Sequence, residues 1–577
     1  MHKLENLVYW ILESKSRKFL VILLTLVALG LSILMIPTGL VKARMLPGKS
    51  ANTFSVYIDT PTGSSKEQTT QVSQCVIDIL KKEKAVTDME LFVGEGIPLD
   101  YAGLVKGASM KNSENVAELA VNLTDKHIRD EKSFSMVSRL RPTIKNNCEK
   151  LVKGTVIKMI EQPAGPPTLA SIVVEVTGDD LKELRYLSKE TAKVLSQTKK
   201  IVDVDIMSDD LFKKYELVPN KDKIARSGLS VEQVNKILYL AFEGMAVAHK
   251  NSKNEAGQIQ IFLTLDPKTK KFDSKSLEAL KSKLASMNLM NKRGMLVGLT
   301  EVVDIKEVQN TPMIMHKDLN RMINVIAETD NESQVYPLLD ARAAMIKHFE
   351  KLGYKVEKEP GISTYMFDLH LTNKKTGKKY LLRWDGEMKV TLDTFRDLGA
   401  AFIGALILIF LLLVIYYKSF ALSGIVLAGS FLSIIGVIVG HWVANLVTTD
   451  TFFLTATSLI GFIALMGISS RNSLLLIDFA KSLIEAKGMD RRRAIALSSA
   501  TRAKPIALTA VAIILGSALL ASDPVFGGLG VALISGTVAA IFVSLIFVPV
   551  LLDGAKAMDK DDENPIHHDA NDISITR

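Results

Sequence analysis

The stretch FFLTATSLIGFIALMGISSRNSLLLIDFA, residues 452–480, is long enough to cross a membrane and carries a single arginine, Arg471, within its apolar run. A charge in hydrocarbon costs at least about 2.5–3.5 kcal/mol, so an ionisable residue in such a run indicates a functional site. The alternative is that Arg471 lifts its guanidinium to the headgroups along its long stem. For Arg471 alone, snorkelling is the simpler interpretation, so the rest of the chain has to decide between the two.

The composition indicates a protein that is part membrane-embedded and part soluble. The chain has 577 residues, of which 48% are hydrophobic, and a formal net charge of +9. Much of the basic excess lies in short segments beside apolar runs, where it sets membrane topology, so we expect no nucleic-acid partner. The sequence contains no P-loop, nucleophile elbow or zinc motif, so we expect neither an enzyme nor a bound cofactor.

Six apolar runs have the length of a membrane span. They cover residues 19–41, 398–417, 421–446, 453–477, 505–521 and 527–552. Residues 1–18 before them predict an amphipathic cytoplasmic helix, and the polar residues 553–577 after them predict a disordered tail. His567 and His568 in that tail offer metal ligands, but a solvated tail is the simpler interpretation. The pattern predicts an α-helical membrane bundle of one plus five spans, with a long polar insertion after the first span. Residues 398–552 form the five-helix part.

The basic residues of the short loops predict the orientation of the spans. The segment between the fourth and fifth runs is rich in Lys and Arg, whereas residues 447–451 and 522–525 contain neither. By the positive-inside rule, both termini are cytoplasmic and the insertion 42–397 faces outward. In a double-membrane bacterium this is an inner-membrane protein with a large periplasmic region.

The insertion predicts an α+β region built from repeated β-α-β units. Phe54, Val56 and Ile58 alternate with polar residues as in a half-buried strand, and a helix-spaced apolar face follows. Two such units predict a ferredoxin-like subdomain over residues 42–168. Two further units predict a second subdomain over 169–207 and 312–390, with a domain inserted at 208–311.

The two cysteines, Cys75 and Cys148, fall on the packed helices of the first subdomain, which lie side by side on a sheet. A disulfide is possible in an oxidising periplasm, but we expect two buried free thiols.

Four segments together resemble the C-terminal half of the resistance-nodulation-division (RND) efflux permeases of the hydrophobe and amphiphile branch. They are LPGKSANTFSVYIDTPTGSSKEQT at 46–69, GISSRNSLLLIDFA at 467–480, RAKPIALTAVAIILG at 502–516 and GGLGVALISGTVAAIFVSLIFVPVLL at 527–552. The resemblance covers nearly the whole chain. It implies a proton-driven multidrug or amphiphile efflux transporter.

The resemblance also implies roles for four residues in the membrane. Arg471 takes the place of the family's lysine, which pairs with two aspartates of the other half, and Asn472 follows it. Arginine keeps its charge, so Arg471 can act as a counter-ion but cannot release a proton. Thr509 matches a relay threonine, with helix packing as the alternative, and Arg502 matches a basic residue near the proton exit, with a topology anchor as an equal alternative.

Near mid-depth, the six runs contain no acidic residue that could carry the proton; Asp478 lies close to the cytoplasmic boundary. We therefore expect either a second polypeptide that supplies the N-terminal half and its aspartates, or a longer protein of which this chain is a part. Met1 directly before a complete amphipathic helix favours a split subunit. The resemblance further implies a trimeric assembly of half-pairs, a periplasmic adaptor and an outer-membrane channel, besides membrane lipids.

In the insertion, the resemblance places a substrate switch loop at 93–111, with mobility from Gly94, Gly96, Gly103 and Gly107; an ordinary surface loop is the alternative. It makes 208–311 a docking domain. Scattered methionines raise soft-metal efflux as a minority interpretation, since thioethers are soft ligands. They are Met45, Met89, Met110, Met136, Met159 and Met207. Their spacing shows no shared site, so we predict no metal site.

Two other functions remain open. A Sec-type translocation motor shares the one-plus-five pattern and a periplasmic insertion. It fits less well, because the insertion of this chain has several β-α-β units and matches the RND motifs. A non-transporting scaffold that docks partners at the envelope would need neither a proton carrier nor a second half.

Overall fold

The computed structural model describes residues 2–45, 50–98, 101–162, 165, 167–255, 257–265, 277–330, 332–361, 363–448, 452–523, 525–555 and 558. Residues 209–313 form one compact unit, and the segments before and after them form the other. His567, His568 and most of the predicted tail lie outside the described residues.

The strands are numbered in chain order. They are β1 Thr53–Asp59, β2 Val86–Glu95, β3 Asn112–Leu123, β4 Val156–Glu161, β5 Ile172–Thr177, β6 Ile201–Met207, β7 Lys213–Pro219, β8 Met245–Lys250, β9 Ile259–Leu263, β10 Asn288–Met290, β11 Leu296–Gly298, β12 Val303–Gln309, β13 Met315–Lys317, β14 Asn320–Thr329, β15 Tyr354–Lys358, β16 Leu369–Asn373 and β17 Lys379–Asp385. The helices outside the membrane candidates are His2–Glu13, Lys66–Leu80, Tyr101–Lys106, Ser133–Cys148, Leu181–Gln197, Lys221–Arg226, Val231–Phe242, Leu277–Ala285, Leu299–Val302 and Val335–Lys351.

Six helical segments of the described chain are long and apolar enough to cross a membrane. They are span 1 Lys15–Leu34, span 2 Glu387–Tyr417, span 3 Phe420–Val447, span 4 Ala456–Lys487, span 5 Arg491–Ala521 and span 6 Gly527–Gly554. Their ends differ from the apolar runs. Span 1 ends at Leu34 rather than residue 41, and span 5 begins fourteen residues before Pro505, which lies inside the helix. Pro37 and Gly39 follow the end of span 1 inside its apolar run, whereas charged residues continue span 5 outside its run. Hydropathy therefore marks the apolar part of a segment but not the ends of its helix.

The first sheet has the antiparallel order β2-β3-β1-β4, with the helices Lys66–Leu80 and Ser133–Cys148 packed together. Phe54, Val56 and Ile58 lie in β1 and are buried, as their alternation predicts. Ser55 and Tyr57 on the opposite face are buried too. The strand is therefore enclosed on both faces, because it is central in the sheet and charged side chains cover its second face.

Cys75 and Cys148 form a disulfide with a Cα–Cα distance of 5.7 Å, so the expectation of free thiols is wrong. The reason is geometric, since side-by-side packing brings the two cysteines within the range a disulfide can bridge. The same core contains Met136 and Met159, which are almost fully buried among apolar side chains. These two methionines therefore serve as core filler in the first sheet.

The second sheet follows the order β13-β14-β5-β17-β16-β15, and β6 also pairs with β14. The two further β-α-β units predicted from the sequence, over residues 171–206 and 322–356, contain β5, β6, β14 and β15, but β15 pairs with β16 and not with β14. The hairpin of β16 and β17, which no periodicity singled out, inserts between β5 and β15. Span 2 begins at Glu387 directly after β17, so the sheet leads into the membrane bundle.

In its described residues, the unit 209–313 contains three two-stranded sheets, β7 with β12, β8 with β9 and β10 with β11. A small core that includes Ile224, Val234 and Leu299 holds it together. The β8–β9 hairpin stays outside this core, since Val247, Ile261 and Phe262 on it are exposed.

Spans 3 and 6 pack closely through glycines. A Cβ at Gly436 would lie 2.4 Å from the carbonyl oxygen of Ser535, and one at Gly440 would lie 2.0 Å from the Ser535 hydroxyl. Small residues allow helix backbones in a membrane to approach in this way. The helix His2–Glu13 buries Val8 and Leu12 and packs against span 5, so it belongs to the bundle.

Candidate functional site

Arg471 lies on the outward face of span 4. The exposed residues of this helix follow helical spacing, with Ile460, Ala464, Gly467, Arg471 and Leu475 forming one stripe. Most of the helix is buried inside the bundle, so the stripe is narrow. Among the residues that the structure describes, Arg471 has no ion-pair partner. The bundle therefore presents an unpaired cation on an apolar face.

The length of span 4 bears on snorkelling. The helix runs for 32 residues, to Lys487, so it extends well beyond the apolar run that ends at Ala480. Arg471 lies nine residues before the end of that apolar run, about 13 Å at 1.5 Å per residue. An arginine stem is much shorter than that. We therefore favour a position within the apolar layer over one among the headgroups.

The other three predicted membrane residues lie on spans 4 and 5, which pack against each other. Asn472 is buried inside the bundle, although its neighbour Arg471 is exposed. Thr509 is exposed and donates its hydroxyl to the Ile506 carbonyl at 2.9 Å, a bond within its own helix. The Arg502 guanidinium lies 4.7 Å from the ring centre of Phe479 on span 4. None of these described contacts joins the four residues to one another.

Asp478 lies about two turns beyond Arg471 on span 4 and accepts two hydroxyl hydrogen bonds. Tyr416 and Tyr417, at the end of span 2, donate to its carboxylate at 3.1 and 3.0 Å. Sequence reasoning placed Asp478 near the boundary but gave no sign of the tyrosines, because they lie some sixty residues earlier in the chain. The carboxylate lies seven residues after Arg471, on the same face of the helix, where the end of span 2 contacts it.

The glycine-containing segment 93–111 is partly regular. Gly94 and Gly96 lie at and just after the end of β2, Gly103 lies in the helix Tyr101–Lys106, and Gly107 follows it. Gly94 and Gly107 have φ values of +87° and +77°, which favour glycine. A Cβ at Gly96 would lie 2.4 Å from the Ala108 carbonyl oxygen. Gly94, Gly96 and Gly107 therefore allow the backbone to turn sharply and to pack closely in this segment. A role of the segment in switching stays a prediction.

This segment also contacts the second sheet. Lys106 donates to the Leu169 carbonyl at 3.0 Å and pairs with Glu328 of β14 at 3.1 Å. The segment contacts the first sheet as well, because the Ile97 amide donates to the buried Glu118 of β3 at 2.8 Å. The loop is therefore tied to both sheets.

A row of buried and partly buried ion pairs, which we call the charged seam, joins the two sheets. It consists of Arg141, Lys158, Asp59, Asp203, Asp205 and Asp330. Lys158 of β4 pairs with both Asp59 of β1 and Asp205 of β6 at 2.5 Å. Arg141 pairs with Asp203 at 3.2 Å and with Asp330 at 2.9 Å. Sequence reasoning missed the seam, because its partners are far apart in the chain and show no spacing signal.

The charges of the seam shift one another's protonation. Burial lowers the pKa of Lys158, but Asp59 and Asp205 more than offset it, so that pKa is raised. Burial raises the pKa of Asp59, but Lys158 and Lys111 bring it below its ordinary value. Both groups therefore stay charged at neutral pH, and the seam holds the two sheets together.

Residues 1–553 match the AcrB/AcrD/AcrF family. The swarming motility protein SwrC of Bacillus subtilis (strain 168) is 22% identical over 93% of this chain and 46% of its own length. The multidrug export protein AcrF of Escherichia coli (strain K12) is 22% identical over 94% of this chain and 48% of its own.

The fold is similar to that of a solved heavy metal efflux pump, with a TM-score of 0.68 and 18% identity over 95% of this chain and 51% of the pump. The chain thus spans about half the length of the relatives it matches. By the family match along nearly its whole length, the chain belongs to the AcrB/AcrD/AcrF family of RND permeases.

Proposed function

We propose that this chain is the C-terminal-half subunit of a proton-driven RND efflux transporter for drugs or amphiphiles. It acts in the inner membrane with a polypeptide that supplies the N-terminal half and the proton-carrying carboxylates. The single observation that carries the proposal is the position of Arg471, an unpaired cation midway along a membrane-length helix and on its outward face. Such a charge calls for an anion from another helix.

The surroundings of Arg471 suit a partner helix. Ala464 and Gly467 are the neighbours of Arg471 in the outward stripe, and nothing lies within 4 Å of a Cβ at Gly467. Small residues let a second helix come close, so that a carboxylate on it can reach the guanidinium. Protonation of that carboxylate would release Arg471 and allow the helices to shift.

The outer region supports the same proposal. We infer one plus five spans, ferredoxin-like units in the two sheets, and a switch loop at 93–111 that rests on the tie between Lys106 and Glu328. We also infer that the unit 209–313 docks onto neighbouring subunits of a trimer or onto an adaptor and outer-membrane channel. The exposed apolar side chains of its β8–β9 hairpin support this inference.

The decisive experiment exchanges Arg471 in cells that express the chain with its partner half. Arg471→Ala should reduce the export of a fluorescent amphiphile to background, because no cation remains to hold the partner's carboxylates. Arg471→Lys restores a cation and should retain export. Lys487→Ala, which removes an exposed cation at the end of the same helix, is the matched control and should leave export unchanged.

Complex formation is measured in parallel by pulling down the tagged chain. Partner recovery with Arg471→Ala should match that of the wild type if packing holds the halves together. Export by Arg471→Ala at the wild-type rate contradicts the proposed coupling. Failure of the chain to recover any membrane protein carrying intramembrane carboxylates favours the scaffold interpretation.

A further inference from the structure

His441 is fully buried in span 3, and its ring lies within hydrogen-bonding distance of span 4. It lies six residues before the end of span 3, roughly 9 Å from it at 1.5 Å per residue. Its Nδ1 lies 2.8 Å from the Val437 carbonyl oxygen, and its Nε2 lies 2.9 Å from the Ser458 hydroxyl of span 4. Neither the predicted coupling residues nor the proposed pairing uses this imidazole.

The two contacts fit both charge states of the ring. A carbonyl oxygen only accepts, so Nδ1 carries a hydrogen and donates to Val437. In the neutral ring, Nε2 accepts the hydrogen of the Ser458 hydroxyl. In the charged ring, Nε2 donates to the same oxygen, and the Ser458 hydrogen turns to another acceptor. Protonation therefore reverses one hydrogen bond without breaking either.

The acceptor for that hydrogen is the next hydroxyl in a row. Ser458 Oγ lies 3.0 Å from Thr455 Oγ1, and Thr455 Oγ1 lies 2.8 Å from Thr457 Oγ1. Thr457 in turn donates to the Val525 carbonyl at 3.3 Å. Val525 lies in the short loop between spans 5 and 6, where Asp523 is exposed. The row thus runs from the buried ring to the surface.

Gly528 leaves room for this row. A Cβ there would lie 2.4 Å from Ser458 Oγ and 2.5 Å from Thr455 Oγ1. The first turn of span 6 therefore packs directly on the hydroxyls.

To load the ring, Thr457 takes a proton from water at the end of the bundle and passes its own hydrogen to Thr455. Thr455 passes its own hydrogen to Ser458, and Ser458 passes its own to Nε2 of His441. The new Thr457 hydrogen then points to the Val525 carbonyl, which accepts it and relays nothing further.

Charged groups on the elements that pack against His441 are few. The part of span 6 between residues 527 and 547 has no titratable residue, and the nearest one along span 4 from Ser458 is Arg471, about 20 Å further on at 1.5 Å per residue. Span 1 has its charges at its opposite end. After span 1, Lys42 pairs with Glu332 at 2.6 Å and Arg44 pairs with Glu387 at 3.9 Å.

We propose that His441 is a proton-binding site within this chain's own bundle, loaded through Ser458, Thr455 and Thr457 from the end of the bundle at Val525. Its use in transport rests on the proposed proton-driven function, but the site itself does not. Imidazole is suited to this task because its unperturbed pKa lies near 6.5, so modest changes around the ring switch its charge.

The test observes the ring directly. The full chain, labelled with ¹⁵N-histidine and reconstituted in lipid nanodiscs, is titrated over about pH 5–8 by solid-state NMR. One imidazole signal, absent from His441→Gln, should change from the neutral to the doubly protonated form. Glutamine can keep a donor and an acceptor at this place, so that variant should stay folded.

Ser458→Ala gives a second, independent readout. It removes the acceptor of the charged ring, and charge-assisted hydrogen bonds are the stronger ones, so the midpoint should fall by about one pH unit. Ser482→Ala, at an exposed serine of the same helix, is the control and should leave the midpoint unchanged.

The outcomes separate this site from the proposed function. A ring that stays neutral across the range, or a midpoint that Ser458→Ala leaves unchanged, overturns the proposal whatever the transport assays show. A ring that titrates as described supports the site even where no efflux is found. Where efflux is found, His441→Gln should also flatten its pH profile.

Discussion

Neighbouring residues in span 4 have opposite surroundings. Arg471 faces outward on the bundle, and Asn472 beside it is buried. The rotation of the helix about its axis decides whether Arg471 or Asn472 points outward. That rotation is set by the apolar side chains packed inside the bundle. A sequence motif that contains both residues cannot assign their faces by itself.

Glu161, at the end of β4, is a single residue whose charge state should influence stability. Burial raises its pKa from the ordinary 4.5 to about 7, with Arg141 and Arg44 opposing and Glu328 and Asp330 adding to the rise. The folded protein therefore holds the proton more tightly than the unfolded chain does. The resulting stability is fully present below about pH 4.5 and is lost as the pH rises through about 7.

Glu161→Gln should remove this pH dependence. The variant should be more stable than the wild type above pH 7, by at most about 3 kcal/mol, and similar to it near pH 4.5. The measurement is the thermal midpoint of the purified chain at pH 5 and pH 8. Equal gains at both values would show that Glu161 does not titrate in this range.

The disulfide links two secondary-structure elements, the helices Lys66–Leu80 and Ser133–Cys148 that pack on the first sheet. Cys75 and Cys148 are separated by 73 residues, so the bond restricts a long loop of the unfolded chain. A Cys75→Ser and Cys148→Ser double variant should lose about 2–4 kcal/mol of stability. Thermal unfolding with and without reductant measures this loss.

The wild type should approach the double variant when reductant is added, whereas the double variant should not respond. A wild type that is insensitive to reductant, and as stable as the variant, would mean that the two thiols stay free.

The charged seam acts at the scale of the whole molecule, since it joins the two sheets of one unit. Lys158→Met would leave Asp205 without its cation and Asp59 with only Lys111, at 3.9 Å. Removing one partner of a fully buried pair costs about 3–5 kcal/mol, and this is an upper value here because both carboxylates are partly exposed. Lys213→Met is the control, because Lys213 and Glu307 form an exposed pair, and such pairs contribute about 0–1 kcal/mol.

Limited proteolysis and thermal unfolding of the purified chain measure the effect. The Lys158 variant should unfold at a lower temperature and become sensitive to protease between the sheets, whereas the Lys213 variant should match the wild type. Equal behaviour of the two variants would show that the seam does not hold the sheets together.

The sequence by itself determined the presence of six membrane-length helices, the strand character of β1 and the presence of a cation in span 4. Each is a local property, carried by apolar length, by alternation or by one residue type. Only the tertiary structure decided the outward face of Arg471, the disulfide, the β15–β16 pairing, the charged seam and the bond between His441 and Ser458. Those features depend on residues that are distant in the chain. Their energies depend on packing and burial, and local periodicity carries no information about either.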